Sequence, residues 1–231
     1  MTTEANFIED IIDETLPMQV LEPAIFDACL ARGWRVLGTR MLRHSFASHD
    51  GLICRTIPLR IRLGGFHLSK GQRALLRRHK AHLEAQYGPI QITPHTIDLF
   101  HRHSERFDYL RPQRFLNFIG ERAHLEPVTG MAFTVFDHHP EPIAHSFIHL
   151  GKAAVSGTYC IFEPSYHHLS LGIYTMLLEI AKAQELGKQF YYHGYVYDVP
   201  SPYDYKLQFH GLEAMDWKTG SWQPMGRRTG F

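Results

Sequence analysis

A chain of 231 residues with 44% hydrophobic and 20% charged content has an ordinary globular composition, with room for one large or two small domains. A formal net charge of +1 and a pI near 7.9 exclude the strongly basic balance of a dedicated nucleic-acid domain, so any RNA contact needs a local patch. No apolar run approaches membrane-spanning length. The acidic start, with Glu4, Glu9, Asp10, Asp13 and Glu14, lacks the basic and apolar regions of a signal peptide. Cys29, Cys54 and Cys160 lie far apart, which excludes a disulfide framework and a four-cysteine zinc site and fits a reducing compartment. A cytoplasmic protein that engages neither membrane nor DNA is expected.

Residues 33–63 are rich in Arg, Thr, Ile, Leu and Val and read as extended, most clearly Ile57-Pro58-Leu59-Arg60-Ile61-Arg62. Ser69 with Gln72 forms a capping box, because hydroxyl and amide satisfy each other's orphan backbone donors at a helix start. A basic helix is expected to follow, over 70–86. Thr93-Pro94 is a second helix start, with Ile97, Phe100 and Phe107 expected on its buried side. A short helix over 112–122 would bury Phe115, Phe118 and Ile119.

From residue 131 the period changes to that of strands. Met131–Phe136, Ile143–Leu150 and Val155–Phe162 predict an antiparallel meander. A helix over 171–186 follows, with Ile173, Leu177, Ile180 and Ala181 on one face and Gly187 as its stop. Phe190–Tyr197 predicts another strand. The expected class is therefore α/β (α+β), a mixed sheet with flanking helices. The order of three strands, helix and strand resembles a GNAT-like domain, in which an acyl donor sits where the central strands part. The expected division is an N-terminal domain over 1–92, carrying the basic helix, and a catalytic domain over 93–231.

Several ordered strings resemble the arginyl- and leucyl-tRNA-protein transferases. Gly33-Trp34-Arg35 with Gly38 is similar to that family's G-[WY]-R-x-x-G, and Ile57-Pro58-Leu59-Arg60 to its V-P-L-R. Ser69, Gln72 and Arg73 with Arg77-Arg78 are similar to S-x-x-Q-R-x-x-x-R-R. Ser170-Leu171-Gly172 matches S-L-G, Tyr192-x-Gly194-Tyr195 matches Y-L-G-Y, and Tyr205-Lys206 with Phe209, Glu213 and a following Trp217 or Trp222 resembles the terminal pattern. The chain departs from the family in three places. A cysteine cluster ahead of V-P-L-R is reduced to Cys54, His168-Leu169 precede S-L-G, and Asp204 precedes the Tyr-Lys dipeptide.

The resemblance implies an aminoacyltransferase that moves arginine or leucine from aminoacyl-tRNA to the N-terminal amine of a protein or peptide. Aminoacyl-tRNA is an activated ester, so attack by an amine with a pKa of about 7.7–8.0 needs positioning, deprotonation and oxyanion stabilisation. Ser170, Leu171 and Gly172 at a helix start are candidates to bind the substrate. Tyr192 and Lys206 are candidate catalytic groups, and Gly194, Tyr195 and Tyr205 candidate binding groups. Glu163, at a strand end, is expected to face the same cleft and to bind the incoming ammonium or take its proton. Lys70, Arg73, Arg77 and Arg78 are candidate RNA contacts, each weighed against a plain solvated face. The histidine groupings His44/His49 with Cys54, His101/His103 and His138/His139 lack metal-motif spacing, so no metal or cofactor is expected. Two alternatives are an acyl-CoA-dependent acyltransferase and a non-catalytic module binding tRNA ends or N-termini. The chain lacks the leading Arg or Gln of a pyrophosphate loop at His168–Ile173.

Overall fold

The computed structural model describes residues 11–107 and 114–227; Glu4, Glu9 and Asp10, and the start of the helix expected at 112, lie outside them. Near the N-terminus β1 (Asp13–Pro17), β2 (Arg35–Leu37) and β3 (Arg40–His44) form a small antiparallel sheet in the order β1-β3-β2. Between β1 and β2 runs helix α1 (Pro23–Ala31), which has Pro at its first turn and buries Phe26 and Leu30. Gly33 follows with φ +85, and a Cβ there would meet the Trp217 ring at 2.7 Å, so a side chain is excluded twice over.

The large sheet has the order β12-β11-β5-β10-β9-β8-β7-β6. Its strands are β5 (Leu52–Arg62), β6 (Glu84–Pro89), β7 (Gly130–Phe136), β8 (Pro142–Leu150), β9 (Ala154–Phe162), β10 (Phe190–Tyr197), β11 (Leu212–Met215) and β12 (Trp222–Pro224), and β4 (Phe46–His49) pairs with β5 off this path. Neighbours along this path are antiparallel except β9 and β10. A parallel pair needs a crossover, supplied by α4 (Leu171–Glu185). The mixed sheet with flanking helices matches the expected class. The boundary expected at 92/93 falls after β6, and β5 and β6 on its N-terminal side are strands of the same sheet as β7–β12.

Helix α4 packs Met176, Leu177, Ile180 and Ala183 against Leu59, Ile61, Ile148, Val155 and Tyr191. A second cluster joins Phe147 and Ile161 to Leu99 and Phe100 of α3 (Pro94–Ser104). Strand β8 is thus buried on both faces, and each large apolar side chain it removes from water contributes about 1.5–3 kcal/mol. Its histidines are core residues. His149 is fully buried between the Thr158 hydroxyl (2.8 Å) and the Ala123 carbonyl (3.1 Å), and burial holds its pKa down to about 4.

The expected capping box forms, with Ser69 accepting from the Gln72 backbone amide at 3.2 Å, and the helix start expected at Thr93 carries a second one, with Thr93 accepting from the Thr96 backbone amide at 3.2 Å. Three details differ from the sequence reading. Helix α2 spans Lys70–Lys80 rather than reaching 86, because 84–89 is drawn into the sheet beside β7, with Glu84 opposite Phe136. In α3 the buried face is Thr96, Leu99, Phe100 and His103, a run at helical spacing, while Ile97 and Phe107 are 37% and 36% exposed. In place of a helix up to 122, the described part has a short 3-10 turn, Phe115–Asn117; Phe115 and Ile119 are buried as expected.

Candidate active site

Strands β9 and β10 pair for three residues only, Phe190 with Ala154, Tyr191 with Val155 and Tyr192 with Ser156. Both strands are irregular where pairing stops. On β9 the register against β8 shifts at Thr158, and on β10 the register against β5 shifts at His193. An extra residue bends a strand and increases its twist, and two such bends at the same level part the strands. Into the gap opens a small pocket, continuous with solvent, lined by Ser156, Gly157, Thr158, Tyr192, His193, Gly194, Tyr195 and Lys206. Its far wall comes from the segment after α1, Gly33–Val36, with Leu30, Pro58 and Trp222.

Glycine is required at the gap. A Cβ on Gly157 would lie 2.5 Å from the Tyr191 hydroxyl and 3.0 Å from the Glu179 carboxylate. Gly194 has φ +90, and its Cβ would lie 3.3 Å from Lys206 Nζ. Lys206 sits in the turn Asp204–Gln208 and donates to the Tyr195 carbonyl at 3.1 Å. Burial, with the Arg35 guanidinium nearby, pulls its pKa down to about 7, so a substantial neutral fraction exists near neutral pH.

The Tyr192 hydroxyl accepts from Arg60 Nη1 at 3.1 Å. Arg60 Nε is held by Glu213 at 2.6 Å, and the other Glu213 oxygen accepts from Arg62 at 2.7 Å. Burial raises the Tyr192 pKa and Arg60 opposes that. The Tyr195 hydroxyl is committed to the Gly33 carbonyl, and Arg35 lies 5.1 Å over its ring; burial pushes its pKa up to about 12. Under the gap, Glu179 of α4 accepts from Ser146 and Tyr191. Burial pushes this carboxyl up to about 7.

The fold therefore gathers Tyr192, Gly194, Tyr195 and Lys206 around one pocket. Tyr205 packs behind it against the main core, where burial raises its pKa. Ser170, Leu171 and Gly172 begin α4 outside the pocket lining. Ser170 is exposed, left-handed (φ +54) and makes no side-chain cap bond, and a Cβ on Gly172 would meet nothing within 4 Å. That helix start is thus open to a ligand.

Glu163 is not in this pocket, contrary to expectation. It lines a second, wider cleft with His95, Arg102, Asp137, His139, Glu141 and Tyr166. Arg102 Nε of α3 binds it at 2.7 Å, and Glu163 begins the turn leading from β9 into α4. Beside this cleft Asp137, His138 and His139 each place one potential ligand atom within 4.8 Å of the others. The Asp137 oxygens already accept from the Tyr166 hydroxyl (2.5 Å) and the His139 amide (2.8 Å).

On α2, Lys70, Arg73, Arg77, Arg78 and Lys80 are exposed, while Gln72 and His79 are buried. His79 Nε2 donates to the Leu169 carbonyl at 2.6 Å, and its ring stands edge-on to Tyr174. The basic face is thereby fastened to the start of α4. Sequence reading assigned no role to Arg60, Glu213, Arg35, His193, Gly157 or Glu179. Arg60 and Glu213 lay inside matched strings, but no local signal pairs residues 153 apart.

A pocket at parted parallel strands, walled by cations and aromatic rings with no carboxylate among its lining residues, suits an acyl group carried on an anion. The family model described as arginine-tRNA-protein transferase, C terminus, matches residues 97–216, more than half of the chain, and the chain belongs to that family. A relative along most of the length is the aspartate/glutamate leucyltransferase of Marinobacter nauticus, 25% identical over 216 residues, covering 90% of this chain and 86% of that one. The protein of the same name from Gluconacetobacter diazotrophicus is 27% identical over 173 residues, covering 74% and 65%. Among solved structures, L-PGS from Bacillus licheniformis aligns with a TM-score of 0.47 at 13% identity, covering 71% of this chain and 62% of that one.

Proposed function

We propose that this protein takes an amino acid from aminoacyl-tRNA and joins it to the N-terminal amine of a protein or peptide. The observation that carries the reading is the placement of Lys206 and Tyr192 on one pocket where β9 and β10 part. In this reading the ester carbonyl lies in the gap and the amine attacks its carbon. The carbon–nitrogen bond forms, the bond to the terminal ribose oxygen breaks, and the proton shed by the amine passes through neutral Lys206 to that oxygen. No covalent enzyme intermediate is needed.

Outside the pocket, the exposed face of α2 supplies Lys70, Arg73, Arg77 and Arg78 for tRNA phosphates. Because His79 ties α2 to Leu169, a tRNA on that face would bring its acceptor end past Ser170–Gly172. The donor we favour is leucine. An arginine side chain would find no carboxylate among the pocket's lining residues, whereas the Arg35 guanidinium suits an acceptor that begins with Asp or Glu. The names of the two relatives carry the same pairing. No described helix is long and apolar enough to cross a membrane.

The test uses purified protein, total tRNA charged with one labelled amino acid at a time, and peptides that differ only in their first residue. Label passing from leucyl-tRNA to peptides starting with Asp or Glu is the expected result. Transfer from arginyl-tRNA alone would overturn the donor, and no transfer from any donor would overturn the reaction.

A further inference from the structure

We infer that the Glu213–Arg60 pair is a positioning device that aims the Tyr192 hydroxyl proton into the pocket, so that Tyr192 donates a hydrogen bond to the ester carbonyl oxygen as charge develops there. The inference rests on the transfer reaction proposed above and adds the group that stabilises its oxyanion. A phenol oxygen carries one hydrogen and can also accept, whereas a guanidinium can only donate. With Arg60 Nη1 at 3.1 Å, the contact must run from Arg60 to Tyr192. The acceptor side of the oxygen is then occupied and its own proton is left to point elsewhere. Among the described residues this hydroxyl makes no second hydrogen bond, and Tyr192 lines the pocket.

Arg60 has little freedom to do anything else. Its guanidinium lies 4.0 Å over the Phe190 ring and 4.4 Å over the Trp222 ring, and its Nε is held by Glu213 at 2.6 Å. The second Glu213 oxygen is fixed by Arg62. Trp222 also meets the Tyr192 ring edge-on at 5.5 Å, so guanidinium and phenol share one aromatic wall. Arg60 and Glu213 are 8% and 5% exposed. A buried ion pair is weak evidence for stability because desolvation offsets the attraction, and here its directional use is to orient a third group. Lysine at 60 would keep the charge but, as a point donor without the planar fork, would not hold both Glu213 and Tyr192 in this geometry.

A double-mutant cycle separates positioning from plain structural support. Turnover with leucyl-tRNA and an acidic-start peptide is measured for wild type, Y192F, R60K and the double variant, with thermal melting to confirm folding. Y192F is expected to lower kcat about 100-fold while leaving KM for tRNA within about threefold. R60K is expected to lower kcat about tenfold alone and less than about twofold in the Y192F background, because its effect passes through the missing hydroxyl. E213Q, which loosens Arg60 without deleting it, should give a smaller loss that also vanishes in Y192F, and it replaces R60K in the cycle if R60K does not fold. Additive losses, or wild-type kcat in R60K and E213Q, would overturn the positioning role and leave the reaction standing. A wild-type protein that transfers from no donor would overturn the reaction, and this inference with it.

Discussion

The two clefts of this molecule differ in what lines them. The pocket between β9 and β10 presents Lys206, Arg35, aromatic rings and no carboxylate. The second is wider and gathers Asp137, Glu141 and Glu163 against Arg102 and two histidines. Size alone would favour the second. Chemistry favours the first, because a group of depressed pKa, an oriented hydroxyl and close glycines meet there at a break in a parallel pair. The placement of a carboxylate therefore matters more than its presence. Glu163 directly follows the same β9 that forms the pocket, yet at that far end it is engaged by Arg102.

The largest effect that would break this contrast concerns Lys206. K206M is expected to lower kcat by about 10²- to 10⁴-fold, the range for losing a general base. Single-turnover rates across pH supply the sign. A base must be neutral, so the rate should climb as pH rises through the Lys206 pKa of about 7, and K206M should lack that limb while keeping the one from the acceptor amine near about 8. A surviving limb near 7 would move the base elsewhere.

Next in size is the floor of the pocket. G157A brings a methyl to 2.5 Å from the Tyr191 hydroxyl, and a loss of about 1–3 kcal/mol is expected on thermal or urea unfolding, as for other overpacked sites. G172A is its counterpart at the start of α4, where a Cβ meets nothing within 4 Å. Its melting temperature should be unchanged or slightly higher. Loss of transfer in G172A without loss of stability would add the α4 start to the site.

A smaller effect is expected on the outer face of α2. R77A with R78A should raise KM for charged tRNA about two- to tenfold and flatten its salt dependence by about one to two units of slope, leaving kcat alone. An unchanged salt slope would reduce that face to solvated surface. The smallest effect belongs to the second cleft. E163Q should keep kcat within about twofold and alter stability by roughly 0–1 kcal/mol, since Arg102 and Glu163 are 42% and 26% exposed. A drop in kcat as large as that of K206M would put the reaction in the second cleft.

Much of the C-terminal half was legible because its signals are local. The meander, α4 and the Gly187 stop (φ +67) follow from period and turn chemistry within a few residues. Helix α1 was hidden because its first-turn Pro23 follows Glu22, which makes no side-chain cap bond, in place of a Ser or Thr cap, and the short run Pro23–Ala31 has no clear polar face. Strand β6 was misread because it is a polar edge strand ending in Gly88-Pro89, and edge strands carry weak patterns. The site divided the same way. Tyr192, Gly194, Tyr195 and Lys206 stood in strings similar to a family and the fold brings them together. Arg35, Gly157 and the Arg60–Glu213 link depend on which strands become neighbours, which no window of sequence contains.

Strand β5 lies between β10 and β11, although both are made some 130 to 160 residues after it. As the ribosome releases the chain, β5 lacks both of these lateral neighbours until residues from Phe190 onward have emerged. Its long edge, with buried Leu59 and Ile61, must stay unpaired or shielded during that interval. A polypeptide stalled between Phe162 and Glu213 would carry every residue of the meander and still lack the anchor that holds Arg60. Activity should therefore appear only after Glu213 has left the ribosome, and products shortened before it should be exposed to proteolysis instead of lingering as partial enzymes.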